Sequence, residues 1–456
     1  MKKYLALLLT LVMVTTLLVG CGGGEKTSTP DNDVSTEDSS GQDTKKPDKS
    51  AEDDKGEVEE TTLTLLIDKD ISIAGIQAVT DLAKEKLGIT IEFETRPGGA
   101  EGDNIVKTRL AAGEMADLCL YNSGSLLNAL NPAEYFIDIS NEDFIDKLDE
   151  TYKSTVTVDG VTYGIPVSST QAGAILYNKP LYEKYNLEVP STWDEFIANC
   201  NVLKEAGEVA IIGSYADSWT SQVMFLGDNY NVLSQVPNFA EEFEAGKAKY
   251  ATTPAALASF EKLEQTHEYH NADYLAATYD DACNMIANGE GAHWVILTQA
   301  LSNIYELYED KINDIGVFGI PSDDPEDHGL TVWMPSSLYG NKQSDKQDAI
   351  LKFMEFYVSD EALDAYTSVI LPDGPYAIKG YALPDNAYPA VAEDMQAYFD
   401  AGKTEVALEF LTAVKGANAP NICAELGSGQ TTALEAAEAY DADCLKQAIQ
   451  LGLDWE

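Results

Sequence analysis

The sequence predicts an α/β fold, on two observations of pattern and one of size. From Thr61 onward, short strand-like runs alternate with runs of helical period, and the links between them are short. Such alternation implies a parallel sheet covered on both faces. The chain has 456 residues, which allows two lobes or more. With 45% hydrophobic residues and a mean hydropathy of −0.20, it can bury cores of ordinary size, and a many-span membrane protein does not fit.

The elements follow in order. Leu63-Thr64-Leu65-Leu66-Ile67 reads as a strand. Ile73, Ile76, Val79, Ala83 and Leu87 then share one helical face, and Gly88 stops the helix. Ile89 to Phe93 is a second strand, Asn104 to Ala112 a second helix ended by Gly113, and Asp117 to Tyr121 a third strand. Ligands of such sheets bind beyond the carboxyl ends of the strands. That rule puts Asp68, Tyr121 and Asn122 along one side of a site.

Charge narrows the partners. Lys+Arg number 29 against 77 Asp+Glu, a net of −48, which repels phosphate backbones and anionic headgroups and so excludes nucleic acid. Arg96 and Arg109 are the two arginines, so bidentate capture of phosphate or carboxylate is poorly supplied.

The N-terminus sets the compartment. Lys2 and Lys3 precede the apolar run Tyr4 to Val19, whose 16 residues fall short of the roughly 20 a spanning helix needs. This is the pattern of a secretory signal. Its end, Leu18-Val19-Gly20-Cys21, resembles the bacterial lipobox, which implies a signal over 1–20, lipidation of Cys21 and a cell-membrane anchor on the extracellular face. The alternative is an ordinary signal with an incidental cysteine. Cleavage removes two lysines and takes the charge from −48 to −50. Residues 22–60 hold 13 acidic and 5 basic groups, no aromatic residue and three apolar side chains. They cannot bury enough to fold and read as an extended acidic linker over 21–60. Five cysteines remain, at 119, 200, 283, 423 and 444, an odd set that reads as buried thiols, with a Cys423–Cys444 bridge left open.

Several segments carry a resemblance. Leu110 to Leu118 (LAAGEMADL), Asp159 to Pro166 (DGVTYGIP), Leu176 to Leu181 (LYNKPL), Val189 to Phe196 (VPSTWDEF), Ala287 to Ala292 (ANGEGA) and Gly427 to Ala437 (GSGQTTALEAA) occur in that order. In these motifs the chain resembles the extracellular solute-binding proteins of ABC importers, the family that includes maltose-binding protein, over about 61–456. Physics agrees locally: Thr192 with Glu195 can make a capping box, and the helix that follows puts Trp193, Phe196, Ile197, Cys200 and Leu203 on one face, so Trp193 reads as core.

The resemblance implies a two-lobed periplasmic-binding-protein-like fold, with a hinge and an interlobe cleft. Lobe 1 is expected over 61–168 plus 335–372 and lobe 2 over 169–334 plus 373–456, with passages at 166–172, 331–336 and 371–376. It also implies a monomer with no cofactor and no catalytic role, which captures a carbohydrate, in particular an oligosaccharide, and hands it to a membrane permease. Sugar sites combine aromatic platforms with carboxylates and amides. Tyr121 and Trp219 are the expected stacking residues, Asp68 and Asn122 accept or donate hydroxyl hydrogen bonds, and Trp333 and Tyr376 lie at passages. Relatives often carry Gly-x-Trp after the "GKAAM" segment; here Trp294 sits in an apolar run and reads as core, while Gln299 stands in the place of that platform.

Two other readings remain open. A cationic solute such as a polyamine suits an acidic aromatic cleft, and its binding would fall with salt. A lipid-anchored hydrolase is the enzyme alternative, but no Gly-x-Ser-x-Gly elbow appears. His267-Glu268-Tyr269-His270 is one residue short of a zincin motif and reads as a solvated helix face.

Overall fold

The computed structural model describes residues 60–455, apart from 70, 71 and 98. The signal, Cys21 and the acidic linker lie outside the described residues. The strands are β1 (Thr61–Asp68), β2 (Ile89–Arg96), β3 (Leu118–Tyr121), β4 (Thr157–Val158), β5 (Val161–Thr162), β6 (Gly164–Pro166), β7 (Gln171–Asn178), β8 (Ile211–Ile212), β9 (His293–Leu297), β10 (Ile315–Phe318), β11 (Leu330–Trp333), β12 (Ser337–Gly340) and β13 (Thr404–Val406). They form two main sheets, one per lobe, and the small β4–β5 hairpin.

The first sheet has the order β2-β1-β3-β12-β6. β1 is parallel to β2 and β3, with Asp68 opposite Arg96. The helix Ala74–Leu87 buries Ile76, Val79 and Ala83 and ends at Gly88, whose φ of 70° lets its N–H reach Lys84 O. A parallel sheet is thus correct for three strands only. β12 enters antiparallel to both β3 and β6, because it returns from the other lobe rather than through a right-handed crossover helix.

The second sheet, β13-β11-β7-β9-β8 with β10 also on β7, is mixed. β7 is its centre. β9 runs antiparallel along one side, while β11 and β10 share the other. The helix Trp193–Glu205 carries the Thr192–Glu195 capping box and buries Trp193, Phe196, Cys200 and Leu203, and Trp294 is 1% exposed in the core. Cys119, Cys200, Cys283, Cys423 and Cys444 are all buried free thiols.

Two passages link the sheets side by side: 167–170 joins β6 to β7, 334–336 joins β11 to β12, and Val167 N–H donates to Ser336 O at 3.2 Å. Further along, Thr170 donates to Pro375 O, while Ala377 O accepts from Asp149 and Lys379 N–H donates to Lys147 O. Residues 377–379 therefore still flank the first lobe, beyond the expected passage at 371–376. In the stretch 267–270, His267 and Glu268 are exposed as expected, and His270 departs from that reading. His270 is half-buried, its ring clustered with those of Tyr215 and Tyr274 at 5.4 and 5.1 Å.

Candidate functional site between the lobes

The two adjoining passages frame a cavity of about 250 Å³. Ile76 and Leu120 face it from the first lobe, Gln171 and Trp333 from the second, and Ser168, Ser169 and Ser336 from the passages themselves. Its lining mixes apolar and aromatic side chains with three serine hydroxyls and an amide, which suits a ligand with flat apolar faces and hydroxyl edges.

Trp333, the last residue of β11, is half-buried and held on two sides. Its six-membered ring approaches β7 at Gly173, where an added methyl would stand 2.6 Å from Trp333 Cζ3. Its Nε1–H donates to Glu409 Oε1 at 2.6 Å. The other carboxylate oxygen pairs with Lys415. A glycine at 173 lets the indole approach the strand, and the carboxylate fixes its rotation.

Glu409 sits on the short helix Leu408–Leu411, which meets the first lobe. Ser125 Oγ donates to Glu409 O at 2.9 Å, and Gly124, at φ 65°, lies so close to Phe410 that a Cβ would fall 2.4 Å from its carbonyl. Thr151 and Thr404 make a second interlobe contact at 3.3 Å. Outside the Gly124–Phe410 contact lies another cavity of about 480 Å³, with Lys107, Asn122 and Ser123 on one wall and Thr412, Lys415 and Gln447 on the other. The Ser123 hydroxyl is buried there without a hydrogen-bond partner.

The expected site residues divide. Trp333 lines the inner cavity and Asn122 the outer one. Trp219 is half-buried on the turn Ser218–Gln222, its ring 5.6 Å from Tyr279, which in turn sits 5.2 Å from Trp294. Gln299 is half-buried at the N-terminus of the helix Ala300–Leu307. Tyr121 is 1% exposed, with the Arg96 guanidinium 5.6 Å from its ring centroid. All four residues of β3, a central strand of its sheet, are buried, so the Tyr121 ring offers no open face in this structure. Burial and the neighbouring Asp103 push its hydroxyl pKa up. Asp68 faces Arg96 Nη1 at 3.6 Å. Tyr376 is buried edge-on against Tyr366 and Tyr381.

Sequence reasoning missed Glu409, Lys415, Ser125 and Asp373. Glu409 and Lys415 lie in a segment with no recognisable motif, while Asp373 had a signal, being an acidic residue at a passage. Its carboxylate accepts from Ser302 Oγ, and its pKa is raised to about 7 by burial, with Ser302 hydrogen bonds partly offsetting this and Glu306 adding to it. Among the described residues, no group of three or more His, Cys, Asp or Glu could hold a metal ion. No helix among them is long and apolar enough to cross a membrane.

Comparison with known proteins agrees with this architecture. The multiple sugar-binding protein of Streptococcus mutans is 22% identical over 315 residues, 66% of this chain and 71% of the relative. The melibiose/raffinose/stachyose-binding protein of Bacillus subtilis is 21% identical over 205 residues, 42% of this chain and 45% of that one. Among solved structures, apo RafE of Streptococcus pneumoniae superposes with a TM-score of 0.71 at 20% identity, covering 85% of this chain and 98% of that chain. The solute receptor AcbH gives 0.70 at 17% identity, covering 86% and 99%. The family model for the bacterial extracellular solute-binding protein matches residues 70–364, and the chain belongs to that family.

Proposed function

We propose that this protein captures an oligosaccharide between its lobes and presents it to the membrane subunits of an ABC importer, as a monomer anchored by lipid at Cys21 on the extracellular face. In this reading lobe 1 comprises 61–168 plus 335–372 and lobe 2 comprises 169–334 plus 373–456, with residues 377–379 lying against lobe 1. The supporting observation is Trp333: a half-buried indole, clamped by Gly173 and Glu409, forms a wall of a cavity lined from both lobes. A sugar ring stacks on such a wall while Gln171, Ser168 and Ser169 meet its hydroxyls. Trp219, Gln299 and Asn122 extend the site, and contacts to both lobes make the closed state favourable when loaded. The named sugar ligands of the relatives favour the same ligand class.

The test is thermal stability of a soluble form beginning near Thr61, screened against oligosaccharides, monosaccharides and polyamines at low and high salt. A ligand that binds only the folded state raises the melting temperature. A salt-insensitive rise with one class of oligosaccharide supports the reading. A rise with polyamines alone, lost at high salt, overturns the ligand assignment.

A further inference from the structure

We propose that the outer cavity, around Ser123, Lys107 and Lys415, takes a carboxylate-bearing sugar unit, so that the ligand is an acidic oligosaccharide. This deepens the proposed function and rests on its capture of a carbohydrate between the lobes.

The polar capacity that this cavity leaves open is that of donors. Lys107, on the helix Gly99–Ala112, and the Asn122 amide come from the first lobe, while Thr412, Lys415 and Gln447 face them from the second. Glu409 is the one carboxylate of the lining, and both its oxygens are occupied, one by the Trp333 indole and the other by Lys415. Lys107 is exposed and forms no hydrogen bond or ion pair among the described residues. The Ser123 hydroxyl is more telling. Its residue is 3% exposed, it lines the cavity, and it has no partner. A buried hydroxyl left in that state is costly, and a bound acceptor relieves it.

Charge sets the ligand class. Lys107 and Lys415 against Glu409 leave one positive charge at this seam, in a chain whose net charge is −48. The field of the distant acidic groups is screened beyond about 10 Å at ~0.1 M salt, so the local balance decides what binds. One positive charge matches a single carboxylate. A phosphate, with about −1.5 to −2 charges, calls for guanidinium forks, and no arginine lines the cavity. Glu409 also ties the cation to the platform: it holds the Trp333 indole with one oxygen and the Lys415 ammonium with the other. A stacking wall and a cation therefore stand side by side, as a chain with a neutral unit next to an acidic one requires.

The test is calorimetric titration of the full-length protein, in a neutral detergent without a sugar headgroup, with matched pairs of oligosaccharides. Each neutral xylo-, gluco- or galacto-oligosaccharide is set beside a counterpart carrying one uronic acid unit and another carrying a phosphate. The expected result is binding of one uronate about tenfold tighter than its neutral partner at low salt, with the gap narrowing at high salt. In Lys107→Gln the uronate loses about fivefold in affinity and the neutral partner keeps its own. Ser123→Ala weakens uronate binding without lowering the urea midpoint, because the hydroxyl it removes has no partner in the free protein. A neutral member bound as tightly as its uronate overturns the proposal and leaves the oligosaccharide reading standing, and binding by no member of any pair overturns both. Tighter binding of the phosphate than of the uronate, or equal losses for uronate and neutral partner in Lys107→Gln, overturns the carboxylate assignment.

Discussion

Trp333 Nε1 donates to Glu409 Oε1 at 2.6 Å, and the same Glu409 accepts through its backbone carbonyl from Ser125 of the opposite lobe. The orientation of the cavity's indole wall is thereby tied to a contact that spans the cleft. Lys415, on the second carboxylate oxygen, completes the clamp.

That arrangement predicts a graded loss on changing Glu409. In Glu409→Gln an amide oxygen still accepts from the indole but the charge-assisted strength is lost, at a cost of about 1 kcal/mol or roughly fivefold in ligand affinity. Glu409→Ala frees the indole altogether and weakens binding further. Calorimetric titration of both variants with the best ligand from the stability screen checks the order; equal affinity in all three proteins contradicts it.

Gly173→Ala probes the other side of the ring. Its methyl would stand 2.6 Å from Trp333 Cζ3 and 3.0 Å from Gly227 Cα, so either the indole or β7 must shift. Overpacking of this kind costs about 1–3 kcal/mol. Urea denaturation is expected to show that loss, accompanied by a changed tryptophan emission spectrum.

Tyr121→Ala separates a core role from a ligand role. Because the ring is 1% exposed and lies beside Arg96, its removal is expected to lower stability by about 3–5 kcal/mol. A variant with unchanged urea midpoint and a selective loss of ligand binding would return Tyr121 to the cleft wall.

His293 predicts a pH dependence of stability. Its Nδ1–H donates to Ala210 O at 2.7 Å, Nε2 faces the Tyr182 hydroxyl at 2.8 Å, and burial lowers its pKa to about 4. The folded protein thus keeps the ring neutral where the unfolded chain would protonate it, near pH 6.5. Its contribution is full above about pH 6.5 and is lost as pH falls towards 4, amounting to about 3 kcal/mol. Asp373, with its raised pKa, acts in the opposite sense. Nuclear magnetic resonance titration of the imidazole should find a midpoint near 4; one near 6.5 refutes the assignment.

Local pattern explains what was legible in the sequence. β1 to β3, the stop at Gly88 and the Thr192–Glu195 capping box are short-range features, and each appears where periodicity and cap chemistry put it. The antiparallel entry of β12 was not legible, since it depends on a strand returning from the other lobe. Tyr121 likewise reads as a strand-end wall until its ring is seen buried beside Arg96. Glu409 owes its role to Trp333 and Ser125, and Asp373 its partner to Ser302, all distant in the chain, and no spacing rule reaches across such separations. Trp333 was legible as an aromatic at a passage; its clamp was not.

The most direct test of the account is calorimetric titration of wild type and Trp333→Ala with the oligosaccharide that most raises the melting temperature. A loss of more than tenfold in affinity, with the variant's own unfolding still cooperative, is the predicted result. Equal affinity in the two proteins would show that the ligand does not rest on this wall and would contradict the assignment of the site.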